Sequence, residues 1–200
     1  MSSVEERLKL ITRNTIEVVT NDELKNILEK ERDIKGYIGF ECSGFMHIGI
    51  GLIPGRKIID IVNANIDFTI LLADWHSWIN NKLGGDLDKI RLAGEYFIHC
   101  FTALGVPKSK VKYLWASDVV SDVKYWEYVL KIGKKASLRR VLRALPIMGR
   151  KDTDEIKETA WLIYPLMQVA DIFYLNLDLA LGGIDQRKAH MLAKDTAKYL

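Results

Sequence analysis

Two hundred residues at 48% hydrophobic composition can build one domain with a sizeable core, and a net charge of +3 permits a polyanionic partner without demanding one. The two cysteines, Cys42 and Cys100, make no disulfide framework and no metal spacing, so a reducing compartment is expected and a metal site is not. The N-terminus has no apolar signal core and no apolar run approaches the roughly 20 residues that span a bilayer, so we expect a cytoplasmic protein with no membrane partner.

Residues 3–31 carry a helical pattern with Leu8, Ile11, Ile16, Val19, Leu24 and Leu28 as its apolar positions. Thr20-Asn21-Asp22-Glu23 reads as a helix start and Leu24–Glu31 as the short helix after it, a solvated cap on the core. Residues 36–41 predict the first strand, and the pattern turns helical after Gly51 and runs to about Asn63. Asp67–Ala73 is a short unbroken apolar run, as in a strand buried on both faces. Asp74–Gly85 reads as a polar loop holding Trp75, His76 and Trp78, followed by an amphipathic helix over Asp86–Leu104. Val111–Ala116 predicts a third strand, with helices over Asp122–Ile132 and Ala136–Leu145. A long helix is expected from Asp152 to Leu175, then a fourth strand over Leu177–Leu181, Gly182-Gly183, and a last helix over Asp185–Leu200. Strands alternating with helices give an α/β fold with a parallel sheet and its ligand at the carboxyl ends of the strands.

Two stretches carry chemistry. Gly36–Gly55 runs from a strand through Cys42-Ser43-Gly44 and His47-Ile48-Gly49 into a helix. The first N–H groups of a helix lack internal partners and favour an anion, glycine lets a nucleotide approach the backbone, and a histidine there can donate to phosphate. An ordinary βα turn would look the same. In the later helix, Tyr164, Gln168 and Asp171 fall at i, i+4 and i+7 and share one face. Their neighbours Trp161-Leu162-Ile163 and Leu166-Met167 are apolar, and Pro165 removes one helical hydrogen bond. Such a polar stripe faces either water or a polar ligand. A dinucleotide-dependent oxidoreductase also suits an α/β sheet, but no G-x-G-x-x-G follows a strand.

Tyr37-Ile38-Gly39-Phe40-Glu41-x-Ser43-Gly44-x-x-His47-Ile48-Gly49 resembles the HIGH signature of class I aminoacyl-tRNA synthetases, in the form found in archaeal and eukaryotic tyrosyl enzymes. Tyr164-Pro165-x-x-Gln168-x-x-Asp171-Ile172 and Gly182-Gly183-x-Asp185-Gln186-Arg187-Lys188 are similar to the same family's amino-acid-binding segments. Two positions depart from it: Cys42 stands where the family usually has proline, and Ile50 replaces the second histidine of HIGH. The resemblance implies a Rossmann-like sheet flanked by helices, with a helical insertion at about 120–150. It implies that tyrosine is activated with ATP to tyrosyl-adenylate and passed to tRNA. By position, Tyr164, Gln168 and Gln186 would hold the amino group of tyrosine, and Tyr37 and Asp171 its hydroxyl. Leu71, Ala73 and His76 would line the pocket. His47 and Gly49 would lie near the ATP phosphates, His47 with a catalytic part, and Gly182 and Asp185 near ribose and adenine. Mg²⁺ would travel with ATP, with no tightly bound cofactor.

From Lys131 to Lys151 there are eight Lys or Arg and no acid, with Leu138, Val141, Leu142, Leu145 and Met148 between them. This is either a solvated helical hairpin or, by the resemblance, an insertion that packs on a second subunit and meets the tRNA acceptor end. No KMSKS-like string occurs, and a C-terminal anticodon-binding domain is also missing, so a truncated catalytic core is expected, with weak turnover of its own. A tryptophanyl ligase and a non-catalytic tyrosine- or RNA-binding relative are the alternatives.

Overall fold

The structure, a computed structural model, describes residues 3–30, 33–150 and 155–200. Four parallel strands, β1 (Lys35–Phe40), β2 (Asp67–Leu72), β3 (Val111–Trp115) and β4 (Leu179–Leu181), lie in the order β3-β2-β1-β4. Ile38 stands opposite Ile70 on one side and Leu181 on the other. The chain therefore leaves β1 in one direction for β2 and β3 and returns on the far side as β4. That reversal opens a crevice at the carboxyl ends of β1 and β4, where ligands of such sheets sit.

Side-chain alternation along the strands builds two cores. Ile38, Phe40, Phe68, Ile70 and Leu72 pack on one face with Ile58 and Ile61 of α3 (Ile48–Asn63) and Phe97 and Phe101 of α5 (Leu87–Ala103). Tyr37 and Leu71, one residue out of step, go to the other face. There they meet α6 (Ala116–Val120), α7 (Val123–Lys135), α9 (Ala160–Tyr174) and α10 (Arg187–Ala197). A third cluster joins Leu145, Ile147 and Met148, which follow α8 (Leu138–Ala144), to Trp161 and Tyr164.

The N-terminal helices α1 (Val4–Thr12) and α2 (Asn21–Leu28) each start on a capping box, Ser3 with Glu6 and Thr20 with Glu23. They are more than a solvated cap. Buried Lys57 of α3 donates to the carbonyls of Leu10, Ile11 and Arg13 as α1 ends, and Arg13 pairs with Asp60. Burial pulls the Lys57 pKa down, with Asp60 opposing the fall. Residue 31 of the expected second helix lies outside the described residues.

The largest departure from the sequence reading is Asp74–Gly85. It is a helix, α4 (Asp74–Ile79), followed by a tight turn at Lys82–Gly85. Asp74 is fully buried and accepts from the backbone of Trp75 and Ser117, both at 2.9 Å. The turn needs left-handed backbone at Asn81, Leu83, Gly84 and Gly85, which explains the glycines. Other boundaries shift less. α3 starts at Ile48, before Gly51, because His47 caps it. Among the described residues the long later helix starts at Ala160, with 155–158 outside it and 151–154 not described. The fourth strand is shorter, and the last helix begins after a turn at Ile184–Gln186. No helix among the described residues is long and apolar enough to cross a membrane.

Gly94 of α5 shows how tightly the first core is filled. A Cβ there would lie 2.4 Å and 2.6 Å from ring atoms of Trp115 and 3.1 Å from the Cys42 sulfur. Gly94→Ala should therefore destabilise the fold by about 1–3 kcal/mol despite the better helix propensity of alanine. Urea unfolding measures this; a variant as stable as the parent would show that Trp115 yields freely.

Candidate active site

Asp171 projects from α9 into the second core and is 2% exposed. A desolvated carboxylate needs donors. Tyr125 of α7 supplies one at 2.8 Å on Oδ1, while also lying 3.1 Å from the Met167 carbonyl. His76 Nε2 lies 3.2 Å from Oδ2, in ion-pair range but off the line of a good hydrogen bond. Tyr37 of β1 is equally buried, in the same cluster as Tyr125 and Met167. Burial, then the charge of Asp171, holds its phenol well above the ordinary tyrosine range. Burial and Asp171 do the same to Tyr125. Tyr37 and Asp171 thus lie buried in one phenol-rich neighbourhood. Leu71 and Ala73 lie buried where β2 ends. His76 is not on a loop: it sits buried on α4, edge-on to the Tyr164 ring at 5.2 Å.

The polar residues that share the α9 face with Asp171 are also paired. The Tyr164 hydroxyl donates to Glu41 Oε1 at 2.9 Å. Gln168 Nε2 donates to Gln186 Oε1 at 2.9 Å, and Gln186 Nε2 donates to the Ile147 carbonyl at 3.0 Å and to Asp185 at 2.8 Å. Tyr164 is therefore tied to Glu41, and Gln168 to Gln186, in two separate polar networks. Sequence reasoning missed Tyr125, Asn80 and the part played by Glu41. Only Glu41 carried a signal, its position directly after β1.

His47 is exposed and caps α3. Its Nδ1 accepts from the Gly49 N–H at 3.2 Å, so in the neutral ring the proton is on Nε2, and that N–H is the donor left for a ligand. A side chain at 49 would crowd this ring, its Cβ 3.2 Å from Cε1. Ile50 packs on the first core and takes no part in this donor set. Gly182 and Asp185 lie exposed on the turn after β4, where a Cβ at 182 would come within 3.0 Å of Gln186. Cys42 is fully buried; its N–H donates to the Ser77 hydroxyl at 2.8 Å, a bond that proline could not make. Burial, then Asp74 and Glu41, push its thiol up to about 12.

These features, a parallel sheet with a switch-point crevice, a histidine-capped helix start and a buried carboxylate among phenols, define a class. Residues 29–200 match the family of class I tRNA synthetases (W and Y), and the chain belongs to it. Its relatives point to one member. It is 55% identical over 198 residues to a tyrosine–tRNA ligase of Sulfurisphaera tokodaii, covering 99% of this chain and 54% of that protein. A crystal structure of tyrosyl-tRNA synthetase from Aeropyrum pernix is similar at 50% identity and TM-score 0.90, over 98% of this chain and 57% of that one. The tyrosyl-tRNA synthetase from Pyrococcus horikoshii complexed with L-tyrosine matches at 42% identity and TM-score 0.93, over 100% of this chain and 55% of that one. The chain spans about half the length of the relatives it matches.

Burial opposes the charge of His76, but Asp171, with Glu41 and Asp74 behind it, outweighs burial and raises its pKa. Protonated His76 then adds stability that is complete below about pH 6.5, the unfolded value, and is lost as pH rises through the raised folded value. Urea titrations across this range should show that loss, and His76→Gln should flatten it. An unchanged slope would mean that His76 does not titrate with folding.

Proposed function

We propose that this chain carries the tyrosine-activating site of a tyrosine–tRNA ligase. The observation that carries the reading is the burial of Tyr37 within reach of the charge of buried Asp171. A substrate hydroxyl there donates to Asp171 and accepts from Tyr37. Phenylalanine leaves the Tyr37 hydroxyl without this partner and Asp171 one donor short, and sites of this kind discriminate by about 10⁴–10⁵. Leu71, Ala73 and His76 flank the ring. At the other end Tyr164, Gln168 and Gln186 take the amino group, and the carboxylate is directed to the crevice.

ATP lies in that crevice, its phosphates at the start of α3 with His47 Nε2–H and Gly49, and its ribose against Gly182 and Asp185. The tyrosine carboxylate attacks the α-phosphorus; a carboxylate–phosphorus bond forms and the bond to pyrophosphate breaks. No side chain is covalently modified. The residues align the two substrates and meet the charge growing on phosphate oxygens. Mg²⁺ arrives with ATP.

The 120–150 segment fits a homodimer contact and the acceptor end of tRNA(Tyr). Val141, Leu145 and Met148, expected at an interface, are buried in this chain's own core instead. Leu130 and Ile163 are exposed beside Trp126 and Leu166 in a groove of about 280 Å³ between α7 and α9, which suits a second copy. Arg139, Arg140, Arg143 and Lys188 line a cavity of about 370 Å³, which suits phosphates. This reading puts the protein in the cytoplasm with the rest of translation.

Calorimetry tests the pocket. L-Tyrosine should bind and L-phenylalanine should not. Tyr37→Phe and Asp171→Asn should each weaken tyrosine by about tenfold or more. Equal binding of the two amino acids by the parent chain would sink the reading.

A further inference from the structure

Resting on the tyrosine reading, we propose that Glu41 and Asn80 are positioning residues that give the amino-group end of the pocket its preference for a cation. Tyr164, Gln168 and Gln186 are uncharged, yet an ammonium withdrawn from water needs strong acceptors or an anion close by. Glu41 is the half-buried carboxylate bonded to one member of that set, accepting a hydrogen bond from the Tyr164 hydroxyl at 2.9 Å. The direction of this bond is fixed, because a carboxylate paired with Lys82, 3.1 Å from Oε2, only accepts. The Tyr164 oxygen then has only lone pairs to offer a ligand. It suits an N–H donor and repels a carboxylate, which sets the polarity of this end of the pocket. Asp185 also touches the set, through Gln186, but it is exposed and its field is screened by water.

Asn80, at the end of α4, holds the carboxylate in place. It is 6% exposed. Nδ2 donates to Glu41 Oε1 at 2.7 Å and to the Met148 carbonyl at 2.9 Å, and Oδ1 accepts from Arg150 at 3.2 Å. Both amide hydrogens and the oxygen are engaged, so the amide cannot turn over without stranding a buried group. Arg150 is itself fixed, its guanidinium 3.5 Å over the Trp161 ring. One clamp thus joins the end of β1, the end of α4, the segment after α8 and the start of α9.

Calorimetry of the 200-residue chain with L-tyrosine, tyramine and 3-(4-hydroxyphenyl)propionate, which lacks the amine, tests this. Glu41→Gln keeps the shape and removes the charge; Asn80→Ala removes the clamp. Both should weaken tyrosine and tyramine by about tenfold or more and leave the propionate within about twofold. In a Tyr164→Phe background, Glu41→Gln should add little further loss, because its effect runs through that hydroxyl. Equal losses on all three compounds, an unchanged preference for the amine, or additive losses in the double variant would overturn the proposal. A parent chain that binds none of them would sink the tyrosine reading itself, whereas a parent that binds with indifferent variants sinks this proposal alone.

Discussion

The arrangement depends on one buried charge. A carboxylate removed from water costs several kcal/mol unless donors surround it. At Asp171 the partners come from separate parts of the chain: Tyr125 of α7 donates a hydrogen bond, His76 of α4 lies in ion-pair range, and Tyr37 of β1 lies within reach of its charge. None of these elements can slide without exposing or orphaning the carboxylate. The demand that fixes the packing of the second core is the one on which the proposed selectivity for a phenolic hydroxyl rests.

The sheet decides where such a network can form. Period-two alternation sends Ile38 and Phe40 into the first core and Tyr37 into the second, so one strand serves both cores. The crossing from β3 to β4 then lays α9 across the same face, close enough for its Asp171 to act on Tyr37. At the opposite end of α9, Tyr164 meets Glu41, the residue that follows β1. Strand and helix therefore meet at two points, and the proposed site lies between them.

Much of this could be read in the sequence, for identifiable reasons. The first three strands are short, largely apolar runs, and the polar stripe of Tyr164, Gln168 and Asp171 follows from helical spacing. Their partners were harder to see. α4 has only six residues and rests on Asp74 meeting the backbone of Ser117, a contact between distant residues that no local pattern records. That error placed His76 on an exposed loop when it is buried. Tyr125 reads as an ordinary core aromatic of an amphipathic helix, since its hydroxyl gains meaning only when α9 is in place. Asn80 carries no sequence signal at all; its role exists only where four segments converge.

The bond between the Cys42 amide and the Ser77 hydroxyl has a consequence for how this family can vary. Ser77 in turn donates its hydroxyl hydrogen bond to the Ala73 carbonyl at 2.7 Å, so it bridges the end of β1 to the first turn of α4. A proline at position 42 would offer no amide hydrogen, so Ser77 would keep its tie to the Ala73 carbonyl and lose its reach to the strand. The amide at 42 is therefore what couples the entry to α4 to the end of β1, a link that exists only while a residue other than proline stands there.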